Sequence, residues 1–270
     1  MPEAQIRRIP NLLHLLIFLA LTIFSFLISE ALVLTIAHSH PLTAALVNQK
    51  IQLTANAITY ILCLSASAFL FPSIWERSFP SGIRWSPAKA TPRLVLTGLS
   101  LGFISQGISN FLPAPNKMPI EDAFRDPGTI WFLAAFGILL APLFEEILFR
   151  GFLLPGLAIA FDWVLMPRGD TPAQGLDNLR TWQESEHFTS TALIFASLIT
   201  SLLFALIHAP QLGKNWAAIG LLAVVSLILC FVRIRTNSVA ASTLVHATYN
   251  HSVFVSIFIA TSGFHHLERL

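Results

Sequence analysis

From Ile130 to Leu154 the chain reads IWFLAAFGILLAPLFEEILFRGFLL, and only Glu145, Glu146 and Arg150 interrupt an otherwise apolar run. A hydrocarbon core about 30 Å thick is crossed by roughly 20 apolar residues of helix, so a stretch of this kind reads as a membrane span. Working outward, six more runs of that character lie between polar or Pro-containing breaks, at 12–37, 53–75, 94–112, 191–207, 216–232 and 239–261. The fourth run continues past Pro155 to Leu165, broken only by Asp162, so it can also be a kinked span followed by an interfacial or re-entrant piece. The expected fold is therefore all-α, a polytopic membrane helix bundle of seven spans, or eight if that continuation counts.

Composition supports this reading. Of 270 residues 54% are hydrophobic and 11% charged, well below the quarter or so usual in soluble domains. Disorder is excluded by the apolar surface of 22 Phe and 6 Trp. A formal charge of +2 provides no basic field, so nucleic acid is not an expected partner. Cys63 and Cys230 sit far apart in apolar runs and suggest neither a disulfide framework nor a thiolate metal site.

Arg7 and Arg8 precede the first run, which is longer than the 7–15 residues or so of a cleavable signal and reads as a retained anchor. With seven spans, Arg7, Arg8, Arg77, Arg84, Lys89, Arg93, Arg168, Arg180, Arg233 and Arg235 share one side. Lys50, Lys117, Arg125, Lys214 and Arg269 share the other. That asymmetry is expected of a cytoplasmic N-terminus. The short loops and anchor-like start suggest a prokaryotic cytoplasmic membrane. The segments 76–92 and 167–190 read as cytoplasmic, the latter as a polar insertion without helical periodicity, and 113–127 as external. Residues 1–129 carry helices without a signature, 130–262 the core with candidate site residues, and 263–270 a tail.

Ionisable groups inside spans are costly and ask for a partner or a function. Glu146 and Arg150 are four apart with the acid first, the favourable order for an intrahelical ion pair. Glu145 projects about 100° away and faces elsewhere, free to serve as a general base. Pro142 removes a hydrogen bond to the Ile138 carbonyl and can open the helix just above it. Phe204 and His208 are one turn apart at the end of the fifth run, and His246 and Asn250 share a face in the seventh. Glu145, His208, His246 and Asn250 come from three spans, which a bundle can bring to one hydrated pocket. His251 points away from that face. His14, His38, His40, His187, His265 and His266 read as interfacial or solvated, and Glu30 as snorkelling at an interface.

This pattern, Glu-Glu-x-x-x-Arg (Glu145, Glu146, Arg150), then Phe-x-x-x-His (Phe204, His208), then His-x-x-x-Asn (His246, Asn250), resembles the CAAX protease and bacteriocin-processing (CPBP, or Abi) family of intramembrane endopeptidases. The likeness covers about residues 130–260. It implies that Glu145 and His208 activate a water and that His246 and Asn250 donate to the oxyanion, with Arg150 holding Glu146 and the helix. It also implies a peptide or membrane-protein substrate, lipidated or apolar. Zinc held by Glu145, His208 and His246 is the alternative mechanism, although no His-Glu-x-x-His motif is present. Competing functions are a proton-coupled transporter that uses the same residues as a relay and a non-catalytic membrane scaffold.

Overall fold

The computed structural model describes residues 8–36, 49–112, 128–185 and 187–266, and all regular structure among them is helical. We number the helices α1 (Leu12–Ile36), α2 (Gln49–Trp75), α3 (Phe79–Gly82), α4 (Thr91–Ser109), α5 (Ile130–Leu165), α6 (Pro172–Glu184), α7 (Ser190–Ile207), α8 (Trp216–Thr236) and α9 (Val239–Ala260). Five of them, α1, α2, α5, α7 and α8, are long and apolar enough to cross a membrane. Helices α4 and α9, with 19 and 22 residues, match the remaining two apolar runs in position and are long enough to span, but are diluted by small and polar residues. The chain is thus an all-helical membrane protein with five such spans, and α5 runs unbroken for 36 residues instead of ending near Leu154. Phe24, Phe69, Leu202, Phe231 and Ile259 are exposed on the isolated chain, as side chains that face lipid would be.

Helix α5 is the axis. Helices α1 and α2 pair and pack against its middle, α7 lies along its C-terminal part, and α9 crosses its first half. Helix α9 also packs on α4 and α8. An aromatic pile holds the first two helices to α5: Phe18 stacks on Phe152 at 4.6 Å, Phe71 on Trp75 at 4.5 Å, and Tyr60 lies flat on Phe144 at 3.9 Å. Where α9 approaches α4, Gly98 and Gly102 allow the contact. A Cβ on Gly98 would overlap Thr248 Oγ1 and the Val245 carbonyl, and one on Gly102 would overlap Ser252 Oγ. Small residues one turn apart permit such close crossing.

Within α5, π-helical turns at Phe136–Leu140 and Ile147–Leu153 flank the α-helical segment Ala141–Glu146, and Pro142 and Pro155 follow each of them. Each π turn rotates the face that follows and leaves the backbone irregular where side chains must be aimed.

Three expectations are corrected. The insertion at 167–190 contains a helix, α6, started by a capping box in which Thr171 and Gln174 exchange hydrogen bonds, with Pro172 at its first position. The 76–92 segment is not a solvated loop, since Phe79 and Ile83 are buried in the core. His14 is buried rather than interfacial: its Nδ1 accepts from the Asn11 amide at 3.1 Å, and its ring meets Phe71 and Trp75 edge-on. The 113–127 segment, Arg7, His38, His40, Lys117, Arg125, Glu186 and Arg269 lie outside the described residues.

One end of the bundle is latched by Arg8. Its Nη1 donates to Asp162 Oδ2 at 2.8 Å, its Nε and Nη2 to the Ser185 and His187 carbonyls, and its guanidinium lies 4.9 Å over Trp182. Asp162 Oδ1 accepts from Thr189 N and Oγ1, fixing the start of α7. The acid that interrupts the apolar run is thus the counter-ion joining the N-terminus to the insertion, so the two lie at the same end.

Candidate active site

The site is built on one fully buried ion pair. Arg150 Nη1 donates to Glu146 Oε1 at 2.8 Å, and both side chains are fully buried. The Arg150 Nη2 reaches across to α8, donating to Ser226 Oγ at 2.6 Å and to its carbonyl at 2.9 Å, and the guanidinium sits 4.8 Å over the Phe204 ring. A buried charge survives only when paired and hydrogen-bonded, and these contacts supply the pairing and most of the hydrogen bonds, with Glu146 Oε2 and Arg150 Nε buried without one among the described residues. The pair thereby ties α5 to α7 and α8.

His246, from α9, is the third member of this network. Its Nδ1 lies 3.0 Å from Glu146 Oε1, a carboxylate kept ionised by Arg150, so Nδ1 carries the proton and donates. His208 is fixed in the same way by another acceptor. At the end of α7 the His208 amide turns to the Ala205 carbonyl, which leaves the Phe204 carbonyl without its helical donor, and the His208 ring supplies one through Nδ1 at 2.7 Å. A carbonyl cannot donate, so this nitrogen is also protonated. Phe204 further stacks on His208 at 4.8 Å and meets His246 edge-on at 5.7 Å, serving as the shared wall of both rings.

With both Nδ1 atoms committed, the two Nε2 atoms face one carboxylate oxygen. Glu145 Oε2 lies 4.0 Å from His208 Nε2 and 3.9 Å from His246 Nε2, and all three groups keep a little exposure. Because α5 continues to Leu165, Glu145 and Glu146 lie near the middle of that helix, where Glu145 comes within 4.0 Å of His208 at the end of α7. Those separations exceed a direct hydrogen bond and suit a bridging water. The donors are of a kind zinc accepts, but bonds of 2.0–2.2 Å bring tetrahedral ligand atoms to about 3.4 Å. No group of three such residues is arranged to hold a metal ion among the described residues.

Asn250, one turn beyond His246, uses its amide on the helix: Nδ2 donates to the Gly137 carbonyl at 2.6 Å. The Ala141 amide bonds Phe136 in the π register, so the next bond would run from residue 142 to Gly137, and Pro142 has no amide to give. The carbonyl freed by Pro142 is Gly137's rather than Ile138's because the π turn shifts the register by one. Asn250 keeps one further N–H. His251 is exposed and takes no part.

Sequence reasoning did not single out Ser226, Gly137 or Tyr60, which lies close enough to Glu145 to feel its charge. A serine in a span commonly satisfies its own helix, so nothing marked Ser226 as the partner of an arginine 76 residues earlier.

Residues 127–252 match a protein family described as Rce1-like, type II CAAX prenyl endopeptidase, and this stretch holds every motif residue above. No curated protein and no solved structure matches the chain.

Proposed function

We propose that this chain, whose residues 127–252 match the Rce1-like family model, is an intramembrane endopeptidase that hydrolyses a peptide bond in a lipidated or apolar segment, using water activated by Glu145 and His208. The observation that carries this reading is the pair of Nε2 atoms facing Glu145 Oε2 while each ring is fixed through Nδ1.

A proton count assigns the roles. Glu145 Oε2 and the two Nε2 atoms are three acceptors around one spot, and a water has two protons to give. We assign the third position to a donor. His246 takes it, because ionised Glu146 accepts at its other nitrogen and can balance an imidazolium there. Neutral His208 and Glu145 then accept from the water, while His246 donates through Nε2–H toward the substrate carbonyl. Attack forms a bond from the water oxygen to the carbonyl carbon, and one water proton moves to Glu145. The oxyanion takes hydrogen bonds from His246 and from the remaining Asn250 N–H, worth about 3–4 kcal/mol per well-placed donor. Collapse breaks the C–N bond, and the leaving amine takes the proton from Glu145.

The surroundings support a membrane-borne substrate. An apolar or lipidated segment partitions into the bilayer where α5 carries the site. We read 130–262 as the catalytic core, the earlier helices as its support, and the N-terminus as cytoplasmic in a prokaryotic membrane. Arg8, Arg84 and Arg233 gather at one end of the bundle, as that orientation requires.

The test is to reconstitute the full chain and incubate it with a farnesylated C-terminal peptide and its unlipidated counterpart, following products by mass. Cleavage that persists with a strong chelator present, after metal content is shown to be negligible, supports the water mechanism; activity restored only by zinc removes it. Substrate-driven pH change in sealed liposomes without any cleaved product favours a transporter instead.

A further inference from the structure

The arginines of the bundle are not treated alike. Arg8 has Asp162, and Arg150 has Glu146. Arg233, in the last turn of α8, is 7% exposed, yet its Nη1 reaches only the neutral Asn237 Oδ1 at 3.2 Å and its Nε is buried without an acceptor among the described residues. The charges that reach it are the cation Arg84, close enough to repel it, and, as a weaker and opposite influence, Glu146, which Arg150 already pairs. Arg84 is held there by its own backbone: it follows buried Ile83, and its carbonyl accepts from the Val239 amide at 3.1 Å.

Arg84 and Arg233 both line a cavity of about 390 Å³ between the N-terminal segment, α5, α7 and α8. Leu154, Leu193 and Ile234 form apolar walls, and no acidic side chain lines it among the described residues. The C-terminal carbonyls of α8 offer Arg233 a partial counter-charge. Two cations on one cavity that no acidic side chain lines among the described residues, one of them almost wholly buried, are costly unless an anion joins them.

We infer that this cavity binds a phosphate group, gripped by Arg84 and Arg233 from opposite elements. Two planar forks can engage several non-bridging oxygens at once, which suits a phosphate. The volume is that of a small-ligand pocket, and its apolar walls accommodate the first carbons of an ester. The group can belong to a lipid headgroup at this end of the bundle or to a free phosphate.

The full chain, washed extensively in non-ionic detergent, is compared with Arg84→Gln and Arg233→Gln. Thermal midpoints are recorded with inorganic phosphate against chloride at equal ionic strength, and with phosphatidic acid against diacylglycerol of the same chains. Retained phosphorus per chain is measured on the same samples. The wild type is expected either to gain about 3 °C at ten times Kd, or to retain about one phosphorus per chain, and both variants to lose that response. The arm that responds identifies the source. Compared without added anion on samples stripped until retained phosphorus is negligible, Arg84→Gln is expected to be at least as thermostable as the wild type, because a repulsion is removed. A wild type with neither shift nor retained phosphorus overturns the inference, as does an equal response in the variants or, on the stripped samples, an Arg84→Gln chain less stable than the wild type. Peptide cleavage is not among these readouts, so the inference and the proposed activity fail independently.

Discussion

Glu145 and Glu146 are neighbours in sequence with opposite assignments, and the difference comes from what each faces. Glu146 is enclosed with Arg150, itself held by Ser226, and with the Nδ1 of His246, whereas Glu145 faces the far nitrogens of two imidazoles. Removing one member of a buried pair leaves the other charge stranded. Arg150→Met is therefore expected to cost about 3–5 kcal/mol, and the double change Glu146→Leu with Arg150→Met to cost less than Arg150→Met alone, read as thermal midpoints in detergent. At this scale the sequence was most informative, because charged and imidazole groups in greasy helices stand out. Ser226 did not, since its pairing with Arg150 depends on the crossing of two helices that periodicity does not describe.

Helix α5 performs its task through irregularity. Pro142 denies Gly137 its π-register donor, and Asn250 replaces it from another helix. Asn250→Ala thus strands a buried carbonyl, at a cost of about 1–3 kcal/mol. Pro142→Ala in the same chain restores a backbone amide and is expected to recover much of that stability but not the lost turnover; recovery of both would remove Asn250 from the chemistry. On α4, Gly98→Leu pushes α9 away and should lower cleavage by an order of magnitude or more while leaving the helical content seen by circular dichroism intact. Apolar runs located α4 and α9 to within a few residues, whereas α5 runs on to Leu165 past the end expected near Leu154. The π turns were only hinted at by Pro142, because register depends on which carbonyls find donors elsewhere. The helix at Pro172–Glu184 was missed because its start is signalled by capping rather than by apolar periodicity.

In the whole molecule, the site belongs to a bundle latched at one end. Arg8 and Asp162 join the N-terminus to the insertion and to the start of α7, the helix that carries His208. Arg8→Gln should loosen that latch and make trypsin cut at Arg168 and Arg180 several-fold faster. The length of α5 was the least legible property: a fourth span ending near Leu154 would separate Glu145 from His208 along the bundle, and the 36-residue helix is what the observed contact between them requires. Everything then rests on the Glu145 carboxylate acting on water between two imidazoles. The most direct test is turnover of a lipidated peptide by wild type and by Glu145→Gln, with thermal midpoints on the same samples. The expected result is cleavage by the wild type and at least a thousandfold loss in the variant at an unchanged midpoint, since the amide neither takes the water's proton nor passes it to the amine. Equal turnover by the two folded proteins would contradict the account.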